Sequence, residues 1–181
     1  MRRQPLRYPW ILVVLHWLLA LLIAAMLVAG LVVLQPALNS TPEKLTALRV
    51  HMALGGVILV LMLVRVVARS RLPRPSPATA GHAALDRLAA ATHVALYLLV
   101  FAMLTSGIGI ALVAGLPQIA FGGQGSLPAS FADLPPRIAH SWLAWLLIAA
   151  VGLHLCGVLY HQLIRRDGVV RRMTLGSEPP T

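Results

Sequence analysis

Charged residues are scarce in this chain, and acidic residues are the scarcest of them. Only 11% of the 181 residues are charged and only five are acidic, whereas about 25% of the residues in a soluble domain are charged. Hydrophobic residues make up 59% of the chain. This balance excludes an ordinary soluble domain and is typical of an integral membrane protein.

Cysteine is almost absent as well. Cys156 is the single cysteine, and its place in an apolar run predicts that it is a core residue. One cysteine excludes an intrachain disulfide. Because the chain also lacks a C-x-x-C-H sequence, any haem that it binds must be held without thioether bonds.

The basic residues give the chain a net charge of +10, but they do not indicate binding to nucleic acid. They flank the apolar runs and do not form a stripe on a soluble domain. In membrane proteins such residues fix the orientation and contact anionic lipid headgroups. Membrane lipid is therefore a predicted partner, and nucleic acid is not.

Four apolar runs are long enough to cross a membrane, which takes about 20 helical residues. Because lipid offers the backbone no hydrogen-bond partners, each run is predicted to be helical. The basic start MRRQPLR is compatible with a signal peptide, but the first run is too long for one and is predicted to be retained. We expect one all-α membrane domain over residues 1–181, with helices at about 10–34, 48–68, 84–113 and 138–164.

The distribution of lysine and arginine predicts the orientation, because these residues are enriched in cytoplasmic connections. Twelve of the fifteen, including Arg2 and Arg3, lie at the two termini and around the second connection. The other three, Lys44, Arg49 and Arg137, lie at the opposite end. We therefore expect an up-down bundle of four transmembrane helices with both termini in the cytoplasm.

The fourth run carries His140, His154 and His161, although ionisable side chains are costly in lipid. Fourteen residues fall about 40° short of four helical turns, so His140 and His154 share a face and lie about 21 Å apart. His161 lies two turns further along that face. Ionisable residues inside a span indicate a functional site.

Axial ligation of haem iron needs a second imidazole at a matching depth in another helix. His51 in the second run matches the depth of His140 on the outer side. His16 in the first run and His93 in the third both match His154 on the inner side, and depth alone does not separate them. Haem ligation is the favoured interpretation, and zinc binding or structural hydrogen bonding is the alternative.

Arg65 follows His51 by fourteen residues and is expected to point the same way at the inner surface. A guanidinium there suits a haem propionate, because charge-assisted pairs with carboxylates are strong. Gly55 and Gly152 would let a flat macrocycle approach the helices, although small residues also serve ordinary helix packing. His82, in the second connection, is predicted to be solvated.

Four segments together resemble a known family. They read LHWLLALL at 15–22, RVHMALGGVILVLMLVRVVAR at 49–69, THVALYLL at 92–99, and RIAHSWLAW with GLHLCGVLYHQL within 137–163. Their histidine positions resemble those of the bacterial cytochrome b561 family, and most of all its short, stand-alone members that act as superoxide oxidase. The resemblance covers all four helices, but the connections and the tail match poorly.

The resemblance implies an inner-membrane cytochrome with two haem b groups and a quinone site. It implies that superoxide is the electron donor and leaves as dioxygen, and that ubiquinone is the acceptor. It further implies that His93 and His161 belong to the quinone site, near the inner haem. The implied axial pairs are His16 with His154 at the inner haem and His51 with His140 at the outer haem.

Superoxide is an anion, so positive charge beside the outer haem would attract it. Lys44, Arg49 and Arg137 cluster by sequence at the outer ends of the second and fourth helices. Electrostatic steering raises association rates by about 10- to 1,000-fold and weakens with salt. Ordinary anchoring at the membrane interface explains the three charges equally well.

Other functions remain compatible with the sequence. The protein could be a cytochrome subunit that passes electrons from a partner dehydrogenase or hydrogenase to quinone, although its short connections offer little docking surface. A transporter that uses the histidines as ligands is a weaker alternative. Transporters commonly show inverted repeats and broken helices, and this sequence shows neither. A purely structural membrane protein is the last alternative.

Overall fold

The computed structural model of the protein describes residues 5–176. Arg2 and Arg3, which contribute to the predicted orientation, lie outside the described residues. Within this range the regular secondary structure is helical throughout, and no strand occurs. The helices are α1 (Trp10–Ala29), α2 (Pro42–Arg71), α3 (Ala83–Val113), the short α4 (Leu116–Ala120) and α5 (Pro135–Leu159). π-helical turns extend α1 over Gly30–Leu34 and α5 over Tyr160–Arg165, and a 3-10 turn follows at Val169–Met173.

The four predicted spans are confirmed. In the described part of the chain, four helical segments are long and apolar enough to cross a membrane: Trp10–Leu34, Pro42–Arg71, Ala83–Val113 and Pro135–Arg165. Many of their apolar side chains point outward, as Leu21 and Leu98 do at 68% and 65% exposure. An apolar exterior suits lipid, because lipid tails are as apolar as leucine.

The prediction that Cys156 is a core residue is wrong. Cys156 is exposed on the outside of α5. It follows His154 by two residues, which turns it about 200° around the helix from the face that carries the histidines. Its thiol therefore faces lipid instead of the centre of the bundle.

α2 begins six residues before its predicted start at 48. The Thr41 hydroxyl caps the helix by accepting a hydrogen bond of 3.4 Å from the Lys44 backbone N–H, and Pro42 takes the first helical position. Proline is favoured there because its fixed φ is already helical and no N–H is needed. Hydropathy did not predict this part of the helix, because residues 42–47 include several polar side chains.

A cluster of buried apolar side chains lies halfway along the bundle, and we call it the midplane cluster. Its members come from all four spans: Leu19 of α1, Ile58 and Met62 of α2, Val100 of α3 and Leu147 of α5. Apolar burial drives little association in lipid, so tight van der Waals packing is what holds these helices together. Leu147 lies midway between His140 and His154 along α5, so this cluster separates two levels of histidines.

The two ends of the bundle differ. At the end we call the tail end, the Tyr8 N–H donates to the Arg172 carbonyl over 3.1 Å, and the Trp17 indole donates to the Met173 carbonyl over 2.8 Å. The residues that precede α1 and those that follow α5 therefore meet at this end. At the opposite loop end, the Asn39 amide donates to the Pro128 carbonyl over 2.7 Å and joins the α1–α2 and α4–α5 connections.

Candidate functional site

His51 of α2 and His140 of α5 face each other near the loop end, and we call them the loop-end pair. Their ring centres lie 6.4 Å apart and their planes cross at 69°. Two metal–nitrogen bonds of about 2 Å, with roughly 1 Å more from each nitrogen to its ring centre, span about 6 Å. The separation therefore fits two imidazoles that bind one metal ion from opposite sides.

Ser106 of α3 holds one ring of this pair. Its hydroxyl donates to the Met103 carbonyl over 2.9 Å, so it accepts a hydrogen bond of 2.9 Å from His140 Nδ1. With its proton on Nδ1, His140 keeps the lone pair of Nε2 for a metal. Ser106 could not be identified from the sequence, because only the packing of α3 on α5 brings it to His140.

His51 lacks such a partner. Within the described part of the chain, its buried Nδ1 makes no hydrogen bond. A buried polar atom without a partner costs about 1–3 kcal/mol, so it needs a functional reason. An imidazole that is placed to bind a cofactor, and not to support the fold, supplies that reason.

His16 of α1 and His154 of α5 form the tail-end pair. Their ring centres lie 6.3 Å apart with the planes at 74°, a separation that also fits two ligands of one metal ion. His93 of α3 approaches His154 more closely, with ring centres 5.2 Å apart. Two metal bonds on opposite sides of one ion do not fit between rings at that shorter distance. The His93 Nδ1 donates to the Ala89 carbonyl over 2.7 Å, which leaves Nε2 as an acceptor.

Arg65 lies beside the tail-end pair. Its guanidinium donates to the Tyr97 hydroxyl over 2.9 Å and to the Leu12 carbonyl over 3.1 Å, and it lies 3.4 Å from His16 Nδ1. A guanidinium can only donate, so this last contact requires an unprotonated Nδ1. Ligation of a metal through Nε2 requires the opposite tautomer. The contact from Arg65 and metal binding by His16 Nε2 are therefore alternatives.

His161 lies at the tail end and pairs with a residue that sequence analysis missed. Its Nδ1 donates to Asp167 Oδ2 over 2.6 Å, and the two side chains are 12% and 26% exposed. Burial raises the pKa of Asp167, but hydrogen bonds from His161 and the Val169 N–H outweigh this effect and hold its pKa below the ordinary carboxyl value. Among the described contacts, none joins His161 to His93. The only signal in the sequence was an acidic residue just beyond the last span.

Two of the three basic residues of the loop end, Lys44 and Arg49, bind backbone carbonyls. Lys44 is only 7% exposed, and its ammonium donates to the Leu34 carbonyl and, over 3.1 Å, to the Ala37 carbonyl. These bonds fasten the start of α2 to the end of the first span. Arg49 donates to the Ala120 carbonyl and so holds α4 against α2.

Arg137 is half-buried and donates to the Ser141 hydroxyl within α5. It lines a cavity of about 440 Å³ at the loop end together with Lys44. Gln35, Asn39 and Ser141 add polar groups to the wall. Arg137 and Ser141 lie within one turn of His140 along α5, although neither His51 nor His140 lines the cavity itself.

The imidazole pairs suit haem better than zinc. Structural zinc sites use four ligands, and within residues 5–176 no group of three or more His, Cys, Asp or Glu side chains is placed to hold a metal ion. Axial ligation of haem needs only two imidazoles, because the macrocycle supplies the other nitrogens. A Cβ added at Gly55 would meet no described atom within 4 Å, so there is room for a flat group beside the loop-end pair. Gly152 is exposed and lies about 200° around α5 from His154, so it does not face the tail-end pair.

A bundle of four membrane-spanning helices that holds facing pairs of imidazoles at two depths defines a membrane cytochrome of the b type. The chain belongs to the prokaryotic cytochrome b561 family, whose model matches residues 7–176. Proteins of this family bind b-type haem and transfer electrons across the membrane. The protein is thus a multi-pass bacterial membrane protein.

Two relatives are similar over most of the chain. Cytochrome b561 homolog 2 of Escherichia coli (strain K12) is 32% identical over 180 residues, which cover 93% of this chain and 92% of the relative. Probable superoxide oxidase CybB of Yersinia pestis is 33% identical over 134 residues, which cover 68% of this chain and 72% of the relative.

Proposed function

We propose that the protein is a superoxide oxidase of the inner membrane, with the loop end in the periplasm and the tail end in the cytoplasm. Two superoxide anions each lose one electron and leave as dioxygen. One ubiquinone takes up both electrons and two protons and becomes ubiquinol. The observation that carries this proposal is the presence of two imidazole pairs with equivalent separations at opposite depths, 6.4 Å and 6.3 Å.

The two pairs would hold two haem b groups, which supply reversible one-electron redox chemistry. His51 and His140 are the proposed ligands at the loop end, and His16 and His154 at the tail end. Between His16 and His93, the separation of 6.3 Å from His154 supports His16, since His93 lies too close at 5.2 Å. Arg65 is the proposed partner of a propionate, in exchange for its contact with His16 Nδ1.

Superoxide would approach through the cavity beside the loop-end pair. Arg137 lines this cavity and Arg49 is exposed at the same end, so both can attract an anion from the water. Lys44 adds positive charge to the wall of the cavity, but its ammonium is already bonded to two carbonyls. We therefore assign most of the steering to the two arginines.

Ubiquinone would be reduced near the tail end, where protons are available. His93 lies against His154 and offers Nε2 as a hydrogen-bond acceptor. His161, with Asp167 behind its Nδ1, lies closest to the water of the tail end and can supply protons. Asp167 stabilises the proton on Nδ1 and the positive charge that His161 carries when it is protonated.

Superoxide-driven reduction of ubiquinone by the purified, haem-loaded protein tests this proposal. We expect reduction of a soluble ubiquinone analogue during enzymatic production of superoxide, and its loss when superoxide dismutase is added. No reduction under these conditions would overturn the proposal. A dehydrogenase or hydrogenase that co-purifies at equal stoichiometry and reduces the cytochrome would instead identify the protein as a subunit of that enzyme.

The double variant Arg49→Gln/Arg137→Gln tests steering separately. We expect about a tenfold slower reaction with superoxide at low ionic strength and little difference at high ionic strength, because salt screens the attraction. Arg71→Gln/Arg87→Gln, which removes two arginines from the tail end, is the matched control. A wild-type rate that does not depend on salt contradicts steering but leaves the haem assignments intact.

A further inference from the structure

A basic cavity opens at the tail end, and it shares only Asp167, the partner of His161, with the quinone site proposed above. It has a volume of about 870 Å³ and is lined by three separate parts of the chain. These parts are the segment before α1, the α2–α3 connection and the residues that follow α5. The arginines of its wall are Arg7, Arg166, Arg171 and Arg172.

The positive charge of this cavity is not neutralised by the protein in the described part of the chain. Asp167 is the acidic residue of the wall, and its carboxylate is bonded to His161 and to the Val169 N–H. Within residues 5–176, that contact with His161 is the only one within 4 Å between an acidic side chain and a Lys, Arg or His side chain. Within the described residues, the wall of the cavity therefore carries four arginines and one carboxylate, and that carboxylate is already hydrogen-bonded to two other groups.

The backbone has a positive φ at two positions in the segment that lines the cavity. Arg166 has a φ of 53°, in the left-handed region that non-glycine residues rarely adopt, and Gly168 follows with a φ of 70°. Such strain costs about 1–3 kcal/mol and is retained where the surrounding structure requires it. The two turns direct Asp167 toward His161, while Arg166 and Arg171 line the cavity. Arg172 is fixed by donating to the Ser76 carbonyl over 2.9 Å.

The cavity lies at the depth of lipid headgroups. Its residues 5–7 lie three to five residues before Trp10, the first residue of α1, which is 70% exposed. Tryptophan is enriched at the boundary between membrane and water. On the other side, the cavity begins at Gln162, near the point where the last span ends at Arg165.

We propose that this cavity binds a phosphate group, supplied by the headgroup of an anionic phospholipid. Arginine suits the role because its planar fork donates two parallel hydrogen bonds to phosphate oxygens. A bound headgroup contacts the segment before α1, the α2–α3 connection and the tail at once. It therefore holds these three parts together beneath the tail-end pair, independently of the reaction that the cytochrome performs.

Lipid binding to the haem-loaded full-length protein in a neutral detergent tests this site. Native mass spectrometry follows the titration with dioleoyl phosphatidylglycerol, and inorganic phosphate is added as competitor in a second series. We expect Arg166→Asn/Arg171→Gln to weaken the first lipid-binding step about tenfold or more, because charge-assisted hydrogen bonds are lost. Asn is chosen at 166 because it tolerates the left-handed backbone.

Arg71→Gln/Arg87→Gln removes the same charge from the tail end outside the cavity and should leave that step unchanged. We also expect phosphatidylglycerol to raise the melting temperature of the wild type, because a ligand that binds the folded state stabilises it. If the Arg166 and Arg171 pair of changes lowers the haem content, the single variant Arg171→Gln takes its place.

Equal weakening by both double variants, or by neither, would overturn the site. If inorganic phosphate binds at millimolar concentration with the same dependence on Arg166 and Arg171, and displaces the lipid, the phosphate site stands with a soluble source. If it fails to displace the lipid while the arginine dependence holds, the source is the lipid headgroup.

Discussion

The two levels of histidines have similar ring separations and very different surroundings. The loop-end pair has only a neutral hydrogen-bond partner: Ser106 holds His140, and His51 Nδ1 has no partner in the described part of the chain. The tail-end pair is crowded, with His93 against His154 and the guanidinium of Arg65 against His16.

This difference matches the chemistry proposed for each level. Oxidation of superoxide removes an electron and needs no proton. Two haem ligands and positive charge at the entrance are therefore sufficient at the loop end. Reduction of quinone takes up protons with its electrons, so it needs titratable groups close by. The tail-end half has two further imidazoles, those of His93 and His161. The loop-end half has no such additional imidazole within the described residues.

Removal of a ligand should have the largest effect and should separate the two levels. We expect His140→Ala to lose one of two haem groups, because the remaining imidazole cannot hold the iron from both sides. Loss of a hydrogen-bond partner of a metal ligand lowers activity by up to roughly 100-fold. Loss of the ligand itself should lower superoxide-driven quinone reduction by more than that. The haem-to-protein ratio and the assay together measure this change.

His82→Ala is the control, since His82 accepts a hydrogen bond from the Ala84 N–H at the start of α3 and lies outside both pairs. It should keep both haem groups and nearly full activity. A His140→Ala protein with two haem groups would refute the assignment of the loop-end pair.

The next test concerns the tail-end level, where two histidines compete for one role. His16→Ala should lose the second haem, whereas His93→Ala should keep both and slow quinone reduction. The separations of 6.3 Å and 5.2 Å from His154 are the physical reason. The absorption spectra of both variants, oxidised and then reduced, decide between them, and loss of haem from His93→Ala alone would reverse the assignment.

Ser106→Ala should have a smaller effect, confined to the loop-end level. Without the serine, His140 loses the partner of its Nδ1 proton, and the affinity for the loop-end haem should fall about tenfold. Redox titration should show one of the two potentials shifted and the other unchanged. Thr105→Ala is the matched control, because Thr105 bonds only to the Phe101 carbonyl in its own helix. Equal shifts at both levels would contradict the role of Ser106.

The smallest effect is expected from the pair of His161 and Asp167. The pKa of Asp167 lies below its ordinary value in the folded protein, so this carboxylate stabilises the fold fully above about pH 4. That stabilisation is lost as the pH falls through the lowered pKa. The pair is partly exposed and should contribute less than about 1 kcal/mol.

Melting temperatures of the wild type and Asp167→Asn, measured from pH 6 downward, test this expectation. The difference between the two proteins should be largest near neutral pH and should shrink in acid. A difference that grows as the pH falls would contradict the sign of the shift in pKa. The same variant should lower the rate of quinone reduction, because His161 loses the group that holds its Nδ1 proton.

Hydropathy predicted the membrane spans, and histidine spacing predicted the depths of the histidines along them. Each of these properties depends on one helix at a time. The four spans are confirmed, and the ring centres of His51 and His140 lie 6.4 Å apart. The roles of the histidines and of Arg65 stay predictions. What the sequence could not supply depends on contacts between helices, such as Ser106 on His140 or the distance of His93 from His154.

Lys44 is a second residue whose surroundings could not be predicted from the sequence. By composition it belonged to an exposed basic group at the end of a span, together with Arg49 and Arg137. The fold instead turns its ammonium onto two backbone carbonyls and leaves it 7% exposed. A count of charges gives the sign of the electrical potential at that end, but not which charges an incoming anion can reach.

The midplane cluster has an electrical consequence. Leu19, Ile58, Met62, Val100 and Leu147 offer no hydrogen-bonding groups on which water or protons could cross between the two levels. In the proposed orientation, electrons therefore travel inward without protons beside them, and each turnover moves net negative charge toward the cytoplasm. A membrane potential that is negative inside opposes each elementary charge by about 2.3 kcal/mol per 100 mV over the full thickness. Turnover in sealed vesicles should accordingly accelerate when an ionophore collapses that potential.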